Sequence, residues 1–191
     1  GLTNYTKAML DEIGVTSYHT IVFGGEGIRD IDKEFSCAQG NHMILNIPNE
    51  DEDLWLECTS QSVPFGFIAN FTDDRDVLVV TPEGGEIKHT KIYNASENKQ
   101  HQKANVIISK NGALKATVNI ASRGVNYNNR MYLTSLSEKD KKIVYKNDYS
   151  YVNGLEVSKI EILNNKEEIT LREKVELSTL AYVKKAGSSF L

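Results

Sequence analysis

Proline is scarce, at three of 191 residues, and no segment is compositionally biased, which excludes collagen-like, low-complexity and wholly disordered chains. Cysteine occurs twice, as Cys37 and Cys58, too few for a disulfide framework and half of what a typical zinc site takes. No apolar run approaches the ~20 residues of a membrane-spanning helix, and the mean hydropathy is −0.39. A basic excess is missing too. Lys and Arg number 22 against 26 Asp and Glu, a formal net charge of −4, so no sequence-wide positive field is offered to a nucleic-acid backbone. There is no initiator Met and no signal-peptide pattern of basic, apolar and small-residue regions. What is present is a globular composition, 40% hydrophobic and 25% charged, at a length that suits one large domain or two small ones.

Leu2, Tyr5, Met9 and Ile13 recur at three- and four-residue steps and predict a helix with one apolar face, stopped at Gly14. Because the sequence opens inside that helix and ends on Phe190-Leu191 with no polar tail, it reads as a piece of a longer chain. Residues 15–23 are rich in β-branched and aromatic types and read as a buried strand. Residues 24–40, with Gly24, Gly25, Gly27 and Gly40, read as a long surface loop of the kind that is usually functional or mobile. Strands are expected at 41–47 and 54–59 around an acidic turn, then at 76–81 and 86–90 around Glu83-Gly84-Gly85.

Near residue 92 the character changes, and 94–102 reads as a polar linker. Ala104, Val106 and Ile108, then Leu114, Ala116, Val118 and Ile120, alternate on either side of the hairpin signal Asn111-Gly112. Residues 126–146 read as helical, with Ser137 and Asp140 as a weak capping box. Leu155 and Val157, then Ile160 and Ile162, change phase and imply a bulge; Ile169, Leu171, Val175 and Leu177 form the last strand. The fold class expected is α+β: a mixed unit over 1–91, then an antiparallel β unit over 92–191, sandwich-like with a helical insert.

The strands at 41–47 and 54–59 carry the candidate chemistry. Pairing them with Met43 near Leu56 and Leu45 near Leu54 buries the aliphatic side chains together. The same register sets His42 across from Glu57, or diagonal to it if the pairing shifts by two residues. A carboxylate on one imidazole nitrogen fixes the tautomer and leaves the other nitrogen to take a proton from a nucleophile. The bland alternative is an ordinary cross-strand ion pair worth under about 1 kcal/mol. Trp55 shares the face of Glu57 and either walls the site or simply packs. Cys58 points to the opposite face and reads as a small core residue; Cys37 lies in the loop before His42 with nothing nearby to activate it. His19 reads as a core histidine, and His89 and His101 as surface residues. Cys37, His42 and Cys58 lack a metal-ligand spacing. Gly24-Gly25-Glu26-Gly27 lacks both the Lys-Ser/Thr of a phosphate loop and the spacing of a dinucleotide loop.

Leu54-Trp55-Leu56-Glu57-Cys58-Thr59-Ser60-Gln61, with Asn41-His42-Met43-Ile44-Leu45 upstream and Phe71-Thr72-Asp73-Asp74-Arg75-Asp76 downstream, resembles the bacterial transglutaminase-like proteins of the papain-like cysteine protease superfamily, in particular the Bacteroidetes type. The opening residues 1–10 resemble that family's core helix, and the likeness covers residues 1–90. It implies the later part of a papain-like core, with His42 as the catalytic histidine and Glu57 at the position where the family usually has aspartate. The family nucleophile is a cysteine in a Gly-x-Cys stretch at the N-terminal end of the core helix. Counting back from Gly14 places it just before Gly1, so this chain alone is expected to be inactive. By resemblance, bacterial relatives look like peptide or amide hydrolases, working in the periplasm or outside the cell on a protein or peptide substrate. The adjoining N-terminal part of the parent protein is then a partner. No cofactor is implied, and the acidic turn around Asp51 lacks the form of an EF-hand. The competing expectation is a non-catalytic envelope or surface module in which the core is a scaffold and the β unit binds protein or glycan.

Overall fold

The computed structural model describes residues 1–183, 185, 186, 189 and 190, with side chains as far as Val183. The chain falls into two compact units, Gly1–Ser96 and Glu97–Leu191. The change of character expected at 91/92 precedes that boundary by a few residues. The architecture is mixed α and β, and the sheets of both units are antiparallel.

The first unit comprises α1 (Leu2–Glu12), β1 (Tyr18–Val22), β2 (His42–Ile47), β3 (Leu54–Leu56), β4 (Asp76–Thr81) and β5 (Gly84–His89). The strands form one sheet in the order β3-β2-β1-β4-β5. Registers of Thr20 with Ile44 and with Val79 put Val22, Ile44, Val77 and Val79 on one face, where they cluster with Trp55 and Ile68. This is the face of His42. The sequence assigned burial to the opposite face, yet Met43 there is 38% exposed while Ile44 is fully buried. The reason is the segment Phe67–Ile68–Ala69, which lies buried and brings Ile68 into the cluster on the His42 side. Leu45 and Leu56 are buried as well, so the centre of β2 is covered on both faces, and strict alternation no longer distinguishes inside from outside.

Helix α1 forms where expected but is turned. Leu2, Tyr5, Met9 and Ile13 are all exposed. The covered positions are Thr3, Thr6, Lys7 and Leu10, which also follow helical spacing. Hydrogen bonding decides the orientation, since the Thr3 hydroxyl donates to the Met43 carbonyl at 3.1 Å.

At the β4–β5 pair, His89 stands opposite Asp76. Its Nδ1 lies 2.8 Å from Asp76 Oδ1 and its Nε2 3.1 Å from Asp74 Oδ1. Lys33, from the long loop, reaches the other oxygen of Asp76 at 3.0 Å. Carboxylates on both ring nitrogens favour the doubly protonated imidazolium. The hydrogen bond to Asp76 raises the His89 pKa above 6.5 against the opposing pull of burial, with Asp74 adding to the rise. The stabilisation from a raised pKa is complete below the unfolded value and fades as pH rises through the folded one. A proton NMR titration is expected to place the His89 midpoint above 6.5; a midpoint at or below that value would contradict this arrangement.

The second unit contains β6 (Gln100–Ile108), β7 (Leu114–Arg123), α2 (Val125–Met131), a 3-10 turn (Tyr132–Ser135), α3 (Glu138–Asp148), β8 (Glu156–Asn165), β9 (Thr170–Thr179), β10 (Lys185–Ala186) and β11 (Ser189–Phe190). Its main sheet runs β6-β7-β9-β8. The core lies between Val118, Ile120, Val157, Val175 and Leu177 of the sheet and Leu133 and Tyr145 of the helical segment. That segment, expected to be continuous, breaks at Leu136 and Ser137, both with extended backbone. Ser137 then caps α3, accepting from the Asp140 N–H at 3.2 Å and donating to its carboxylate at 2.6 Å. The phase change in β8 is a bulge between Val157 and Lys159. Strand β6 departs from expectation. Ala104, Val106 and Ile108 are exposed along with the rest of this edge strand, because the core under the helical segment takes residues of β7, β9 and β8 and none of β6. Tyr145 is fully buried, while the rings of Tyr149 and Tyr151 meet edge-on at 6.2 Å.

Candidate active site

His42 opens β2, and Glu57 follows the last residue of β3. The observed register is Leu45 with Leu56 and Ile47 with Leu54. It is shifted by two residues from the directly opposed pairing, so Glu57 reaches His42 along the diagonal. A glutamate is long enough to span it: Oε2 lies 2.8 Å from His42 Nε2. The other oxygen, Oε1, accepts from the Thr59 hydroxyl at 2.6 Å and from the Thr59 N–H at 3.0 Å. Burial pushes the Glu57 carboxyl up, but the His42 and Thr59 donors outweigh it and hold the group below the usual glutamate range. Glu57 is therefore a carboxylate at neutral pH. Nε2 of His42 carries the proton it donates, and Nδ1 is left as the acceptor nitrogen.

The imidazole is framed on its other sides. The Phe71 ring meets it edge-on at 5.2 Å with 78° between planes. Gly24 passes so close that a Cβ there would lie 2.6 Å from the Phe71 ring and 3.1 Å from His42 Cβ. Asn41 fixes that glycine from both sides, accepting from its N–H at 2.7 Å and donating to its carbonyl at 3.0 Å. The Gly25 N–H donates to the Phe71 carbonyl at 3.0 Å. The first turn of α1 is also adjacent, through the bond from Thr3 to Met43.

The remaining candidates lie elsewhere. Trp55 shares the Glu57 face but is 3% exposed in the core cluster, so its indole offers a ligand almost no surface. Cys58 is half-buried, and burial raises its thiol pKa, the opposite of what a nucleophile needs. Cys37 is an exposed free cysteine in the long loop. His19 lies in β1, and His101 on the exposed edge strand β6. Among the described residues no group of three or more His, Cys, Asp and Glu side chains is placed to hold a metal ion. Sequence reasoning missed Thr59 and Phe71 as partners of the pair. Thr59 was legible as the next residue on the Glu57 face; Phe71 was not, because it arrives from a loop and no periodicity encodes it. No protein-family model, curated protein or solved structure matches the chain.

Proposed function

We propose that the chain is part of a transglutaminase-like cysteine hydrolase that cleaves amide bonds in a protein or peptide substrate. In this reading residues 1–91 are the later part of a papain-like core, and 92–191 an antiparallel, sandwich-like β domain. The observation that carries it is His42 paired at 2.8 Å with a carboxylate that Thr59 also holds. The bond between Thr3 and Met43 supports it, because it seats the N-terminal turn of α1 beside β2. A helix N-terminus lowers a thiol pKa, and by resemblance the nucleophilic cysteine belongs immediately ahead of that helix.

The chemistry follows from the two ring nitrogens. Nδ1 of His42 takes the thiol proton, sulfur bonds to the amide carbon, and the carbon–nitrogen bond breaks as His42 returns the proton to the departing amine. Water then attacks the thioester with His42 again as base, releasing the acid and the thiol. Glu57 stabilises the imidazolium and keeps its orientation. A periplasmic or extracellular site of action follows from the resemblance.

The test is to produce the chain with its native upstream residues and treat it with a peptide vinyl sulfone. A cysteine just before Gly1, labelled at a rate that collapses in His42→Ala, is the expected result. Serine or alanine at that position, or labelling indifferent to His42, overturns the enzyme reading in favour of a non-catalytic module. The 191-residue chain alone is expected to show no His42-dependent labelling.

A further inference from the structure

Arg75 is 1% exposed, and its guanidinium is spent on backbone oxygens. Nε donates to the Asp73 carbonyl at 2.8 Å, Nη2 to the Asn70 carbonyl at 3.2 Å, and Nη1 to the Phe23 carbonyl. Two of these acceptors have a particular place in the chain. Phe23 immediately precedes Gly24, and Asn70 immediately precedes Phe71. Gly24 and Phe71 are the two residues pressed against His42. One buried fork thus joins the two chain segments that frame the imidazole. Burying a guanidinium is costly unless its donors are met, and only a planar, multi-donor group meets three carbonyls set at these angles.

We infer that Arg75 is a positioning residue for His42: it locks the Gly24 and Phe71 backbones together so that the Phe71 ring holds the imidazole with Nε2 on Glu57 and Nδ1 facing out. This rests on the reading of His42 as the proton acceptor. Its consequence is a property of the ring itself, however, and is measured without any reaction. The Phe71 contact is edge-to-face, a geometry in which aromatic pairs are worth about 0.5–1.5 kcal/mol. Releasing the ring frees the imidazole to turn off Glu57, and the contact energy caps the resulting rise of the minor tautomer of His42 at roughly two- to tenfold.

The experiment is long-range proton–nitrogen NMR of the histidine rings in the 191-residue chain, with His101 of the second unit as internal control. The unaltered protein is expected to show His42 almost wholly as the Nε2–H tautomer. Gly24→Ala sets a Cβ 2.6 Å from the half-exposed Phe71 ring, which must move aside, and Phe71→Leu removes the ring without adding an atom near His42. Both are expected to raise the minor form measurably, up to that limit, with His101 unchanged. Arg75→Lys keeps the charge, loses the fork and is expected to do the same. A folded Arg75→Lys protein with an unshifted His42 tautomer overturns the proposal, as does an unshifted tautomer in Gly24→Ala and Phe71→Leu. Should Arg75→Lys unfold, solvent exchange of the Arg75 Nε–H in the unaltered chain decides. Exchange far slower than at Arg172, which is 56% exposed, supports the clamp, and exchange at the same rate overturns it. Loss of the tautomer effect beside intact His42-dependent labelling would remove Arg75 alone. Labelling indifferent to His42 would remove the enzyme reading and leave the positioning result standing.

Discussion

Arg130→Met is expected to destabilise the second unit by about 3–5 kcal/mol, the usual cost of stripping one partner from a buried ion pair. The side chain of Glu173 on β9 has no exposed surface. Arg130 of α2 grips it at both ends, from Nη2 at 2.7 Å and from Nε at 3.2 Å. Tyr145 of α3 donates its hydroxyl to Glu173 at 2.6 Å, and Arg130 reaches on to Asp148 at 2.8 Å. Burial and the neighbouring carboxylate together push the Tyr145 phenol well up, so it stays protonated and keeps donating. With Met in place of Arg130, Glu173 is a buried charge with one neutral donor left, the Tyr145 hydroxyl, and α2 loses its tie to the sheet. Arg130→Met combined with Glu173→Leu is expected to recover most of the loss, because the pair is then absent rather than broken. Urea unfolding checks both proteins. A loss below about 1 kcal/mol in the single variant would mean that the network carries little of the stability.

If the chain acts as the proposed cysteine hydrolase, Glu57→Gln in the protein with the proposed upstream cysteine is expected to slow acylation by about 10²–10⁴-fold with little change in fold. The magnitude follows from which end of the amide faces which donor. Oε1 of Glu57 accepts two hydrogen bonds from Thr59, and Oε2 accepts one from His42. A glutamine has one acceptor oxygen, and the two Thr59 donors claim it. Its NH2 then faces His42 Nε2, which must become an acceptor, so the ring proton moves to Nδ1. The nitrogen that takes the thiol proton in the proposed mechanism is then already occupied. Thr59→Val in the same background removes one of the competing donors and is expected to restore part of the rate. Acid has a related effect. The Glu57 pKa is depressed, so the stabilisation of the pair is present above the ordinary glutamate value of 4.5 and is lost only as pH falls through the lower folded value. Measured kcat/KM of the Gln variant within about tenfold of the unaltered protein would remove Glu57 from the proposed mechanism.

Both effects trace back to residues that were visible in the sequence to different degrees. Glu173 sits in phase with Leu171, Val175 and Leu177, and a charge on an apolar face is a legible sign of a buried partner. Which partner was not legible, because Arg130 comes from a helix that no local pattern docks on β9. His42 and Glu57 were legible as neighbours, since pleating leaves only two faces and the acidic turn between them is short. The choice between the opposed and the diagonal placement was not, because the two registers differ by a whole pleat period and keep the same side chains on each face. The apolar stripe of α1 pointed the wrong way, because the Thr3 hydroxyl, unmarked by hydropathy, docked the opposite face.

Element identity, hairpin order, the Ser137 cap and the β8 bulge all follow from interactions among residues a few positions apart, which is why periodicity and turn chemistry suffice to read them. Burial on both sides of β2, the ring of Phe71 on His42 and the reach of Arg75 to Phe23 join residues tens of positions apart along the chain. Those contacts arise from how loops close over a sheet, and no spacing rule in one dimension encodes that closure.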